Sequence, residues 1–197
     1  PTISGLFNQP TAVNNVETLV AMLAAYKSGK DGWNRLGTEQ SPGTKLFCVS
    51  GQVAKPGLYE LPFGLTLRQL IEMAGGVEGS SIKAVLLGGA AGTFVGPSLL
   101  DMPLTYEDAK ANGVSLGSGV VMVFNYFADL KQALYELSRF FAHESCGKCF
   151  PCQLGTQRQM EILDRIAHTD EQRGEVVKAF VVVAPVAPPP ALLVQRG

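Results

Sequence analysis

Three cysteines, Cys146, Cys149 and Cys152, recur at every third residue, and hydrophobic side chains at helical spacing lie on both sides of them. The chain there has to fold as a short loop held between two helices. On the near side, Leu130, Leu134, Leu137 and Phe141 fall at i, i+4, i+7 and i+11, with Phe140 widening the stripe. On the far side, Met160, Leu163 and Ala167 share one face, and Ile162 and Ile166 lie beside it. The remaining cysteine, Cys48, stands far upstream in an apolar run and reads as a small buried hydrophobe. Three clustered thiols and one remote one form a ligand pattern and not a disulfide framework. A reducing, cytoplasmic setting suits them, because thiols this close would otherwise oxidise before holding a metal.

A Cys-x-x-Cys-x-x-Cys run lets three thiolates converge from one loop, which suits an iron-sulfur cluster. Gly147 permits the tight turn between the first two ligands, and Pro151 fixes the chain just before the third. Zinc competes: His143 is near enough in sequence to complete a three-cysteine, one-histidine site. A thioredoxin-like reading of Cys146-Gly147-Lys148-Cys149 is disfavoured by the third cysteine and by the lack of a preceding βαβ unit.

Upstream, the spacing is mixed. Asn14, with Glu17 three residues on, predicts a capped helix start. Val16, Leu19, Val20 and Leu23 give that helix one apolar face before Ser28-Gly29 stops it, and Trp33 and Leu36 should pack beneath its end. Leu46–Ser50 and Leu58–Leu61, joined by Lys55-Pro56-Gly57, predict a hairpin. Thr66 and Gln69 make a capping box for a helix burying Leu67, Leu70, Ile71 and Ala74 and ending at Gly75-Gly76.

Ala84–Leu87 and Val120–Phe124 are apolar on both faces, as central strands are. Between them, Leu100–Leu104 is expected as an edge strand and Tyr106–Asn112 as a short helix. The fold class is therefore α+β: a small mixed sheet wrapped on one helix, the β-grasp arrangement, followed by two helices that hold the cysteine loop.

Sixteen basic and seventeen acidic side chains leave a net charge of −1, which does not favour nucleic acid or anionic lipid as a partner. The apolar stretch Ala179–Val194 is broken by four prolines and falls short of the roughly 20 residues a spanning helix needs, so no direct membrane insertion is expected. No basic region followed by an apolar run opens the chain, so a secretory signal is not expected, and the abrupt start suggests a piece of a longer protein. Gly88–Gly92 reads as a turn beside a strand, not as a phosphate cradle. Residues 174–197 carry neither helical nor strand punctuation and are expected to be a disordered or aberrant tail.

The run Glu144-Ser-Cys-Gly-Lys-Cys-Phe-Pro-Cys152, followed by Gly155-Thr156, resembles the signature of the flavoprotein subunit of respiratory complex I and its soluble relatives, the diaphorase subunit of NAD-reducing hydrogenases and the β subunit of NAD-dependent formate dehydrogenases. Pro10–Leu19 is similar to another of the family's segments, and Gly43–Phe47, Pro56-Gly57 and Gly117–Val120 are similar to its β-grasp domain. The resemblance implies Cys146, Cys149 and Cys152 as three of four ligands of a 4Fe-4S cluster. It also implies Asn14 and Asn15 as part of an FMN site, NADH as the substrate of a full-length parent, and no catalytic side chain in this stretch. Electrons would pass from FMN through the cluster to partner subunits, a 2Fe-2S subunit among them, in the cytoplasm or at the inner membrane surface through those partners.

The domains that the resemblance implies are residues 1–40, the end of a flavin and NADH domain; 41–127, a β-grasp domain of the soluble-ligand-binding type; 128–173, a partial α-helical iron-sulfur bundle; and 174–197, the tail. The family's glycine-rich flavin and NADH segments have no counterpart here, nor does its fourth cysteine. Gln153 stands where relatives often carry arginine. Without the upstream domain, the apolar face of the Val16–Leu23 helix would be exposed. The rival reading is a non-catalytic β-grasp binding or assembly module, zinc-binding in one form.

Overall fold

A computed structural model describes residues 1–168; the expectations for 169–197 lie outside the described residues. The chain divides into two compact units, Pro1–Ala128 and the remainder from Asp129. The first holds a five-stranded mixed sheet made of β1 (Thr44–Gly51), β2 (Gly57–Pro62), β3 (Ile82–Leu87), β4 (Thr93–Val95) and β5 (Val120–Asn125), in the order β2-β1-β5-β3-β4. β1 and β2 form the expected antiparallel hairpin, with Phe47 opposite Tyr59. β5 lies between β1, to which it runs parallel, and β3, to which it runs antiparallel. The two runs read as central, β3 and β5, are neighbours at the middle of the sheet.

Strand β1 shows the period-two rule that organises the core. Lys45, Phe47 and Val49 turn inward and are buried, while Leu46 and Cys48 turn outward and are exposed. Cys48 is therefore not a buried hydrophobe: an apolar run does not reveal which parity faces the core, and here the even-numbered residues face out. Phe47 and Val49 join Val85, Leu87, Val121 and Val123 in a layer covered by the helix α2 (Leu67–Met73).

Helix α2 begins as its sequence dictates. The Thr66 hydroxyl accepts from the Gln69 amide at 3.2 Å, and the Gln69 side chain accepts from the Thr66 amide at 2.9 Å, a closed capping box. Leu67, Leu70, Ile71 and Ala74 are all buried, as expected. Thr66→Ala removes one of the two cap bonds and is expected to cost about 1 kcal/mol, read as a lower urea midpoint at unchanged slope; an unchanged midpoint would show that other acceptors suffice.

Leu100–Leu104 is not a strand. Its carbonyls are used elsewhere: Met102 O accepts from the Leu67 amide at 3.2 Å and Leu100 O from the Arg68 amide at 2.7 Å. The segment thus completes the N-terminus of α2, whose first amides have no partner inside the helix. Pro103 has no amide hydrogen to continue a ladder. The edge strand is instead Thr93–Val95, after the Gly88–Gly92 turn, and it pairs antiparallel with β3. The short helix α3 (Tyr106–Ala111) forms one residue shorter than expected and is capped by the Thr105 hydroxyl, which accepts from Asp108 N at 3.0 Å.

Helix α1 (Val16–Trp33) starts on Asn15, not Asn14: Asn15 Oδ1 accepts from the Glu17 amide at 2.8 Å. Its regular path breaks at Gly29, in the left-handed region with φ 71°. Trp33 packs against Gly43, where an added Cβ would lie 2.2 Å from the indole, whereas Leu36 is exposed. The Thr38 and Ser41 hydroxyls both donate to the Glu107 carboxylate on α3. The Ser41 bond, outweighing the effect of burial, holds the Glu107 carboxyl below its ordinary value.

In the second unit, α4 (Leu130–Glu144) and α5 (Phe150–His168) pack on one another. Asp129 caps α4, its Oδ1 accepting from the Lys131 and Gln132 amides at 2.9 and 3.2 Å. Of the far-side stripe, Leu163 is buried.

Candidate iron-sulfur site

The cysteine loop occupies the turn from α4 to α5, where the sequence spacing put it. Helix α4 ends at Ser145, whose backbone is extended. Cys146 and Cys149 lie on the loop, and Cys152 lies in the first turn of α5. Gly147 adopts φ 72°, the left-handed conformation that glycine reaches without steric cost. Pro151 sits in the first turn of α5, where a missing amide hydrogen forfeits no helical bond.

A hydroxyl organises the loop. Ser145 Oγ accepts from the Gly147 amide at 3.4 Å and lies 3.6 Å from Cys152 Sγ, bringing the first and last parts of the motif together. Cys149 O accepts from the Gln153 amide at 2.9 Å, so the second cysteine's peptide leads directly into α5. Cys152 O accepts from the Thr156 hydroxyl at 2.8 Å. The role of Ser145 was missed in reading the sequence, although its signal was present: a serine beside a cysteine turn can bond back to the turn's amides.

All three thiols are exposed and unpaired in disulfides. Among the described residues, no three cysteine, histidine, aspartate or glutamate side chains are already gathered around one point. His143, the fourth ligand considered for zinc, is exposed and its Nδ1 lies 3.2 Å from Glu144 Oε1. As donors, three soft thiolates fit three corners of an iron-sulfur cluster, and the start of a helix favours the negative charge such a cluster carries.

Asn14 and Asn15 lie in the first unit, both exposed. Asn15 Oδ1 is engaged as the α1 cap. No helix among the described residues is long and apolar enough to cross a membrane.

Comparison with known proteins defines the class. Residues 46–80 match the SLBB domain, and residues 132–183, containing all three clustered cysteines, match the NADH-ubiquinone oxidoreductase-F iron-sulfur binding region. This is a chain with an SLBB domain followed by an iron-sulfur binding region of the oxidoreductase F type.

It is a relative of the F subunits of NADH-quinone oxidoreductases. The F subunit of the Streptomyces coelicolor enzyme is 40% identical over 179 residues, 90% of this chain and 40% of that protein. The F 2 subunit of the Rhizobium meliloti enzyme is 39% identical over 178 residues, 89% of this chain and 42% of that protein. The chain thus spans about two-fifths of the length of these curated relatives. Among solved structures, NAD+-reducing NiFe-hydrogenase in the air-oxidized state matches with a TM-score of 0.75 and 43% identity, over 85% of this chain and 28% of that one.

Proposed function

We propose that this chain is an electron-transfer part of an NADH-dependent oxidoreductase, in which Cys146, Cys149 and Cys152 hold a 4Fe-4S cluster and Asn14 and Asn15 contribute to an FMN site. The observation that carries this reading is three thiols within seven residues, on a glycine-turned loop between two helices, inside the matched iron-sulfur region. When bound, such groups supply the conversion of a hydride's electron pair into single electrons. The chain's own residues place the ligands: Gly147 turns the loop, Ser145 ties its ends, and α5 presents Cys152.

The first unit is read as a β-grasp domain of the soluble-ligand-binding type, supported by a sheet in which β5 joins the β1–β2 and β3–β4 hairpins over one helix. Residues 1–40 are assigned to a flavin and NADH domain, 41–127 to the β-grasp domain and 128–173 to the iron-sulfur domain. The partners proposed are other subunits of an NADH-linked complex, a 2Fe-2S subunit among them, in the cytoplasm or at the inner membrane surface. NADH is proposed as the substrate of the full-length protein.

The test is anaerobic reconstitution of the whole chain with iron and sulfide. Bound iron, acid-labile sulfide and a broad visible absorption are expected together. Zinc bound without visible absorption would establish the zinc-binding form of the assembly-module alternative, and a chain that retains no metal would sink electron transfer by this chain in favour of the non-catalytic binding module.

A further inference from the structure

We propose that Glu17 is a positioning residue, a carboxylate clasp that pins the start of α1, and with it the Asn14–Asn15 turn, onto strand β1. Its functional side rests on the reading of Asn14 and Asn15 as flavin contacts; the clasp itself rests on geometry.

The strand supplies the demand. Lys45 shares the inward parity of Phe47 and Val49 and is only 6% exposed, so its ammonium needs an anion close by. Glu17 Oε2 lies 3.0 Å from Lys45 Nζ, and Glu17 Oε1 accepts from the Leu46 amide at 2.9 Å. The second bond has a topological cause. Successive amides of a strand point to alternate sides, so Leu46 N points the same way as Cys48 N, which bonds to Gly119 O at 2.9 Å just ahead of β5. The β1–β5 pairing begins at Cys48 and Val120. At Leu46 the neighbouring strand has not yet begun, and the Glu17 carboxylate takes the place of its carbonyl.

On its own helix, the Glu17 amide donates to Asn15 Oδ1. The side chain thus fixes to the sheet the same residue whose backbone fixes Asn15. Burial pushes the Glu17 carboxyl up, but the bonds from Leu46 and Lys45, with the Lys45 charge, more than offset it and hold the group below its ordinary value, consistent with a standing negative charge.

Little else holds the start of α1. The buried core cluster includes no residue before Phe47, and Val16, Val20 and Leu23 are exposed. A cavity of about 250 Å³ separates α1 from the β1–β2 hairpin, with Trp33, the chain's one tryptophan, in its wall. On the same wall, Glu60 already accepts from the Thr44 hydroxyl at 2.8 Å. Releasing Glu17 should therefore free α1 without disturbing the sheet, and Trp33 should report the change.

The test compares the full chain with Glu17→Gln and with the double variant Glu17→Gln, Lys45→Met. Glutamine offers one acceptor oxygen where two donors wait, and it leaves Lys45 without an anion. Amide exchange over Asn15–Leu23 is expected to quicken by roughly tenfold or more, the factor implied by leaving the buried Lys45 ammonium without its anion. Trp33 emission should shift to the red, while protection of β1, β3 and β5 stays as it was. Removing the stranded charge in the double variant should bring back slow exchange, since the substituted glutamine still accepts from the Leu46 amide.

Unchanged exchange and emission in Glu17→Gln would overturn the clasp. So would loss of sheet protection alongside them, or failure of the double variant to recover. None of these readouts involves flavin, so they separate the clasp from the flavin assignment, which flavin titration of Asn14→Ala tests by itself.

Discussion

Cys149→Ser, in the full chain reconstituted anaerobically with iron and sulfide, is expected to lose most of its bound iron and its visible absorption. Cys149 is the middle one of the three proposed ligands, and its own carbonyl accepts from the Gln153 amide in the first turn of α5. A serine hydroxyl preserves that backbone bond and the side-chain volume but replaces a soft, ionisable sulfur with a hard oxygen that binds iron poorly. The loss is therefore one of ligand chemistry and not of fold, and far-ultraviolet circular dichroism should be unaltered. The paired control is Cys48→Ser, on the outward face of β1 in the first unit, which should retain iron at the level of the unsubstituted chain. Equal iron in the two variants, whether both full or both empty, would mean that the clustered motif is not the ligand set.

Phe47→Ala should produce the largest change in stability. Phe47 is fully buried in the core layer that it forms with Val85 and Val121 beneath α2. Emptying such a site costs about 3–5 kcal/mol from lost transfer energy and the cavity left behind, a large part of the roughly 5–15 kcal/mol that holds an ordinary domain together. Urea denaturation followed through the sheet's circular dichroism should show a midpoint displaced far downward. Cys48→Ala, one residue along the same strand, should stay within about 0.5 kcal/mol because its side chain faces outward. Comparable losses at the two positions would contradict the assigned parity of β1.

The features that were legible in the sequence share a property: each is closed by residues a few positions apart. The Thr66–Gln69 box, the β1–β2 hairpin around Lys55-Pro56-Gly57, the α3 start and the cysteine loop turning at Gly147 all appear as read. Their hydrogen bonds and backbone angles are decided within one turn or one hairpin, so residue type at fixed spacing specifies them. The apolar run of β3 was legible for a related reason, since a strand buried on both faces needs no choice of parity; β5 is central too, but only Val121, Val123 and Phe124 are buried.

The misreadings have the opposite character. Asn14 and Asn15 are equivalent cap candidates by type, and only the path of the chain made Asn15 the acceptor. Glu17, spaced for a capping box, instead reaches β1, 28 residues away. Leu100–Leu104 has the composition of a strand, yet its carbonyls finish the N-terminus of α2, more than 30 residues upstream.

What the sequence alone determined is the set of local units and the chemistry they carry: the capped helices, the hairpin, and three thiols presented in order on one loop. Tertiary structure decided which face of β1 turned inward, which segment paired at the sheet's edge, and which cation Glu17 would meet. Those choices depend on donors and acceptors brought together from distant parts of the chain. A run of residue types does not state where an unsatisfied amide or a buried ammonium will find its partner; the packed fold does.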